Sequence, residues 1–411
     1  MSTLEPIRAH YRLHLRSGET AREKGEAIAR EQTLEVPPGA STPEIDRTFL
    51  GRVVEVVPAG EDPHVERVVV EYAPELFDGA LTQFLNVVWG NVSLMDGVVL
   101  EELELPPWAL AHFPGPRFGV PGIRMMVGNV QGRPLVSSAL KPVGLSPAQL
   151  AELARRLTRA GVDIIKDDHG LADQASAPFA ARVRAVNDAI LAVNEAWGSH
   201  TVYFPNVTAG VDVMPRRAEQ ARSAGCPGVV VCPGLTGLDA LRALREADLG
   251  LALMAHPSHA NTSPNADRGI APDLLMGTLW RLAGADAAVY VNARGRFAWP
   301  VEACQAVNRR ARGPLGKHLP AFPVPAGGIQ AEEVGHWFTT YGSDTLLLIG
   351  GSLLEAENVE AAAREVVKAA VEAGKATTAG GPVAEASAAN ASGAPVGTGA
   401  EGGGTEPTSG P

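Results

Sequence analysis

Pro134-Leu135-Val136-Ser137-Ser138-Ala139-Leu140-Lys141-Pro142 and, a helix length later, Asp163-Ile164-Ile165-Lys166-Asp167-Asp168-His169 repeat one pattern. A short apolar run ends in charged or polar residues. The pattern recurs at 201–204, 228–231, 251–254, 287–291, 322–324 and 345–349. Those runs end in Asn206, Cys232-Pro233, His256-Pro257, Asn292 to Arg296, Gly327-Gly328 and Gly350-Gly351. Eight such runs with helix-length spacers predict a parallel (β/α)8 TIM barrel, an α/β fold. Loops converge at the carboxyl ends of barrel strands, so polar residues placed there point to an enzyme.

Working outward, the segment after the first run has a complete helix grammar. Ser146 can cap, and Pro147 takes the first helical position. Leu150, Leu153, Ala154 and Leu157 form one apolar face before Gly161 stops the helix. Residues 1–125 read differently, as an α+β domain with one sheet. Strands are expected at 10–15, 49–57, 67–72 and 98–105. A helix is expected at 20–34, where Thr20 and Glu23 have the spacing of a capping box. The stretch 81–89 is mixed, and Pro- and Gly-rich 108–121 is a connection to the barrel, which occupies 126–375. Residues 376–411 lack aromatic residues, Leu and Ile, and a disordered tail is expected there.

With 411 residues, 45% hydrophobic and 20% charged, the chain has a globular composition. A net charge of −11 argues against nucleic acid as a partner. Cys226, Cys232 and Cys304 form neither a disulfide framework nor a zinc pattern, which fits a cytoplasmic protein. No signal peptide or membrane-spanning run is read from the sequence.

Five groups of residues can carry chemistry. Side chains alternate across a strand, so Lys166 and Asp168 face one side of the barrel. There they form either a solvated ion pair or a site for a hard cation such as Mg2+. Gly327, Gly328, Gly350 and Gly351 end the seventh and eighth runs, where many barrels hold phosphate; tight turns are the plainer explanation. Lys141 can steady an enolate or act as a base, or can be a surface lysine. A lone histidine is more often structural than catalytic, but His256 lies where barrel catalysts lie. Arg294 and Arg296 sit in a loop that could close on a phosphorylated substrate.

In their order and spacing these residues resemble the large subunit of ribulose-bisphosphate carboxylase/oxygenase (RuBisCO), over nearly all of 10–373. The matching stretches are Gly132-Arg133-Pro134-Leu135 with Leu140-Lys141-Pro142, then Lys166-Asp167-Asp168, Asn206-Val207-Thr208-Ala209-Gly210, His256, Pro325-Ala326-Gly327-Gly328 and Gly350-Gly351. The resemblance implies an N-terminal ferredoxin-like α+β domain, a barrel, and a homodimer in which each N-terminal domain completes the partner's site. Glu31 and Asn91 match the two residues that do so. It also implies that CO2 carbamylates Lys166, and that the carbamate, Asp168 and the residue at 169 hold Mg2+.

The departures matter as much. The carboxylases have a carboxylate at His169, a second lysine at Val143, an arginine at Pro257 and a serine at Ala326. They also have a histidine after the sixth strand that this chain lacks, and a mobile-loop lysine where this chain has Arg296. This resembles the RuBisCO-like (form IV) branch, which does not fix CO2. A lysine base of the enolase members stands at Asn91, which argues against that activity. Loss of the arginine at 257 fits a substrate with a single phosphate. The expected activity is Mg-dependent enolisation of a phosphorylated ketose or keto-sugar acid, by an isomerase or a decarboxylase. In this reading Lys141, His256 and Asn91 act in catalysis, and Lys166, Asp168 and His169 hold the metal. Glu31, Arg296 and the four glycines bind the substrate. His169 can ligate the ion, lie beside it or titrate as an acid/base; its position favours ligation. The competing reading is a degenerate homologue that binds a ligand or regulates.

Overall fold

A computed structural model describes residues 4–379, with side chains to residue 376. The N-terminal strands are β1 (Ile7–His14), β2 (Arg52–Pro58), β3 (Val65–Tyr72) and β4 (Val98–Glu104). They form a sheet in the order β4-β1-β3-β2, each pair antiparallel. With helices Ala21–Glu31 and Leu81–Trp89 between strands, this is the ferredoxin-like arrangement that was expected. Ile7, Ala9, Tyr11 and Leu13 alternate onto the buried face. Tyr11 donates to the Val88 carbonyl at 2.7 Å, which fixes the second helix against the sheet. Each aliphatic side chain so buried contributes roughly 1.5–3 kcal/mol.

Thr20 caps the first helix by accepting the Glu23 N–H. The Glu23 carboxylate takes the Thr20 hydroxyl proton at 2.7 Å. One short helix, Pro43–Phe49, differs from the expectation of a strand starting at 49. Its signal was present: Thr42 caps, and Pro43 stands at the helix start.

The barrel strands are β5 (Leu135–Leu140), β6 (Ile164–Asp167), β7 (Val202–Phe204), β8 (Gly228–Val231) and β9 (Ala252–Ala255). After a two-residue strand, β10 (Gly269–Ile270), come β11 (Ala287–Val291), β12 (Phe322–Ala326) and β13 (Leu346–Leu348). Excluding β10, they pair in parallel in the order β7-β6-β5-β13-β12-β11-β9-β8. The ring closes where Val230 donates to the Pro205 carbonyl and Val207 donates to that of Val230. Leu135, Ile164, Phe204, Val230, Met254, Val289, Val324 and Leu346 fill the interior. Pro323 and Pro325 sit inside β12, where a missing N–H removes a ladder bond. Accordingly β12 meets β13 through a single register pair, Ala326 with Leu348.

The helix Pro147–Arg159 follows the sequence reading: Ser146 and Gln149 form a full capping box, and Leu150, Ala154 and Leu157 are buried. β10 leaves the barrel and pairs in parallel with β4, Gly269 with Val99 and Ile270 with Leu100. The barrel thus lends the N-terminal sheet its edge strand. The last helix, Val359–Ala379, continues past the expected boundary at 375. From residue 380 on, the expected tail lies outside the described residues. Among the described residues no helix is long and apolar enough to cross a membrane.

Candidate active site at the barrel mouth

Alternation along β6 sorts its polar end into two faces. Asp167 points outward into a fully buried ion pair with Arg182, at 3.1 Å. Its oxygens also accept the Tyr203 hydroxyl at 2.6 Å and the Asn206 N–H at 2.9 Å. Arg182 spends its remaining donors on the carbonyls of Ala177 and Ala172. Both oxygens of this aspartate are engaged inside the protein, which makes it an internal anchor.

Lys166 and Asp168 take the inner face. Lys166 is 1% exposed, and its amine donates to the Asp167 carbonyl at 2.9 Å. Burial, aided by the neighbouring Lys141 charge and opposed by Asp168, lowers its pKa from 10.5 to about 8. Burial works to raise the Asp168 carboxyl. The His169 ring, with Nδ1 3.6 Å from Oδ1, and the ammonium groups of Lys166 and Lys141 outweigh it and hold this carboxyl well below the usual range. Lys141 Nζ lies 3.1 Å from Asp168 Oδ1.

Lys141 also reaches the eighth-strand glycines. A side chain added at Gly350 would meet Lys141 Nζ at 3.9 Å. At the seventh strand, Gly327 and Gly328 have φ of +95° and +68°, the left-handed region. They are followed by a short 3-10 turn, Ala331–Glu333, and not directly by an α-helix. Glycine at 328 has a local cause as well: a Cβ there would overlap the Arg294 carbonyl. The 292–297 loop is packed on this turn, with Gly295 against Gly327 and Arg294 paired to Glu333 at 2.6 Å. Arg294 also covers the Trp337 ring. Arg296 is exposed and touches the Phe297 ring.

His256 and His169 stack at the mouth, with centroids 4.4 Å apart and planes 17° apart. His256 Nδ1 accepts the Ser258 N–H at 3.2 Å, which leaves Nε2 as its donor. Burial, with the charges of Lys166 and His169, pushes the His256 pKa well below 6.5. Glu31 and Asn91 are brought together, Asn91 donating to Glu31 at 3.0 Å on the exposed surface of the N-terminal domain. Among the described hydrogen bonds neither reaches the mouth of its own chain.

Two features escaped the sequence reading. Cys232 ends β8 fully buried and lies within electrostatic reach of Lys166 and Asp168. It occupied the same run-end position as the other candidates, so the signal existed. The His169–His256 stack joins residues from different strands, and no spacing rule anticipates it. All three cysteines are free and buried.

The donor set suits a divalent cation. Asp168 supplies an ionised carboxylate and His169 an imidazole. Among the described residues no three of His, Cys, Asp and Glu form a ready cage. Lys166, a buried amine with its pKa lowered to about 8, stands beside these two donors and, as a carbamate, would supply a third ligand with an anionic oxygen.

Residues 122–298 match the family model of the ribulose bisphosphate carboxylase large chain, catalytic domain. The chain is 40% identical over 354 residues to 5-methylthioribulose-1-phosphate isomerase of Rhodospirillum rubrum, covering 86% of this chain and 92% of that one. It is 32% identical over 367 residues to 2,3-diketo-5-methylthiopentyl-1-phosphate enolase of Geobacillus thermodenitrificans, covering 85% and 88%. The crystal structure of a Rubisco-like protein from Rhodopseudomonas palustris superposes with a TM-score of 0.82 at 38% identity, covering 90% and 99%. A parallel barrel behind a ferredoxin-like domain, with two lysines and an aspartate at one mouth, therefore has the RuBisCO-type fold. The chain belongs to the RuBisCO large-chain family, in its RuBisCO-like branch.

Proposed function

We propose that this chain is an isomerase of a monophosphorylated ketose with an apolar, methylthio-type tail, acting by enolisation without fixing CO2. The observation that carries the reading is the convergence of Lys141 and Lys166 on Asp168, with Lys141 against Gly350. The relative named as an isomerase of 5-methylthioribulose 1-phosphate supports the substrate class. So does Val143. A Cβ at Gly170 would lie 3.4 Å from Asp168 and 3.6 Å from Val143, so this valine presents an apolar surface beside the site. A lysine there would suit a second phosphate, whereas valine suits a thioether end. Pro257 likewise offers no charge for a second phosphate.

Lys166 adds as a neutral amine to CO2 and releases a proton, giving an anionic carbamate. That oxygen, Asp168 and His169 would hold a divalent cation, Mg2+ in the family at large. When bound, the ion supplies Lewis-acid polarisation of the substrate carbonyl. The Lys141 amine would take the proton from the carbon beside the carbonyl. As the resulting ammonium, oriented by Asp168, it would steady the oxygen that gains charge and give the proton back to the adjacent carbon, so no net proton is gained or lost. His256 presents a neutral Nε2–H donor to a hydroxyl or phosphate oxygen. The glycines at 327, 328, 350 and 351 let backbone N–H groups approach the phosphate. Arg296, exposed and free of any ion pair among the described contacts, is the loop cation available to close on it. Glu31 and Asn91 serve the partner's mouth in a homodimer.

The test is incubation with 5-methylthioribulose 1-phosphate in D2O with bicarbonate and a divalent cation. Magnetic resonance should show deuterium entering carbon with isomerisation and without CO2 release. Release of CO2 from a sugar-acid phosphate would favour the decarboxylase. If turnover and metal binding are indistinguishable between wild type and Lys166→Ala, the enzyme reading fails and a binding-only role remains.

A further inference from the structure

His169 brings a nitrogen donor to a position that is otherwise served by oxygen. Its Nδ1 lies 3.6 Å from Asp168 Oδ1, so the ring nitrogen and the carboxylate share one place at the mouth. The ring is also held in orientation. His256 is fixed by the Ser258 N–H and stacks on it at 4.4 Å. Two nearly parallel imidazoles cannot aim their in-plane lone pairs at a single ion. His256 is therefore a platform that sets the plane of His169, and His169 is the ring able to ligate. The buried Cys232 thiol adds a soft, polarisable group close to the same lysine and aspartate.

Donor type governs ion choice. Mg2+ wants an octahedron of oxygens and keeps much of its water. Imidazole suits borderline divalent ions, whose affinity rises from Mn2+ through Co2+. We infer that His169, held by stacking on His256, moves the cation preference of this site from Mg2+ toward borderline transition ions of the Mn2+–Co2+ class. The inference rests on the metal-dependent reading given under the proposed function, and it specifies that ion.

The experiment uses full-length, chelator-treated protein in bicarbonate, titrated separately with Co2+ and Mg2+. Co2+ is followed by its visible absorption and both ions by calorimetry, so no turnover is needed. Wild type should bind Co2+ at least about tenfold more tightly than Mg2+. His169→Glu should reduce that ratio at least about tenfold, mainly by strengthening Mg2+. His169→Gln, which replaces the imidazole nitrogen with a neutral amide oxygen, should weaken Co2+ and leave Mg2+ unchanged or slightly tighter. His256→Phe, which keeps a stacking platform, should retain Co2+ binding, whereas His256→Ala should weaken it severalfold. A Co2+/Mg2+ ratio equal in wild type, His169→Glu and His169→Gln overturns the inference while leaving a metal-dependent site intact. Absence of binding by either ion in wild type, with or without bicarbonate, overturns the metal-dependent reading together with it.

Discussion

The two faces of β6 differ sharply, although their key residues are adjacent in sequence. Outward, both Asp167 oxygens are engaged, by Arg182, Tyr203 and the Asn206 N–H. Inward, Lys166 is buried with one carbonyl partner, and its charge is costly enough to lower its pKa to about 8. A saturated network contributes stability and no reactivity. An under-satisfied buried amine is destabilising and reactive. A single strand separates the two by the period of its side chains.

Breaking the inner face should have the largest effect. Lys166→Met is expected to lower turnover by at least about 10³-fold, read from initial rates with saturating cation. The same substitution should stabilise the fold. A pKa lowered from 10.5 to about 8 corresponds to a penalty of about 3 kcal/mol, present in full below pH 8. Between pH 8 and 10.5 the unfolded chain holds the extra proton, so wild type gains stability as pH rises. The advantage of the variant in denaturant unfolding should shrink over that window. A variant less stable than wild type at pH 7 contradicts this account of the inner face.

The outer face should respond in the opposite sense. Asp167→Ala leaves the Arg182 charge buried and unpaired and should cost about 3–5 kcal/mol, measured by urea unfolding. Replacing the pair together, with Asp167→Leu and Arg182→Met, should recover most of that loss. Turnover per folded molecule should change little in either case. If Asp167→Ala abolishes turnover in folded protein, the division of labour between the faces is wrong.

A gentler probe is pH. Carbamate forms from the neutral amine, and about one tenth of Lys166 is neutral at pH 7 and about half at pH 8. The 13CO2 adduct on Lys166, observed by carbon magnetic resonance, should therefore rise severalfold across that unit of pH. A flat profile from pH 7 to 9 would break the link between burial and reactivity. The smallest effect belongs to a residue whose described side-chain hydrogen bonds are all to Gln149. Ser146→Ala removes the capping box of the Pro147–Arg159 helix and should cost about 1 kcal/mol, with kcat/KM unchanged.

The barrel was legible because every strand announces itself twice, by its apolar run and by the polar residues after it. The inward pair of Lys166 and Asp168 followed from strand periodicity alone. The role of Asp167 did not, because its partners Arg182, Tyr203 and Asn206 lie 15, 36 and 39 residues away. Only the curvature of the barrel decides which helix residue reaches back. The His169–His256 stack was hidden for the same reason. The helix Pro43–Phe49 was overlooked because Val53 to Val57 nearby gave a louder strand signal, although Thr42-Pro43 marked the helix start. The glycine at 328 shows the reverse limit. A motif that reads as an anion cradle is also demanded by the Arg294 carbonyl, which only coordinates reveal.

The short strand β10 has a mechanical consequence. The excursion that begins at His256 is stitched at its far end to β4, and along the way Arg12 holds the Ala266 carbonyl and Arg268 meets Asp96. The leash is therefore tethered at both ends, once to the wall of the reaction chamber and once to the neighbouring module. Any shift of one module against the other would therefore pull on the segment that carries the stacked imidazole.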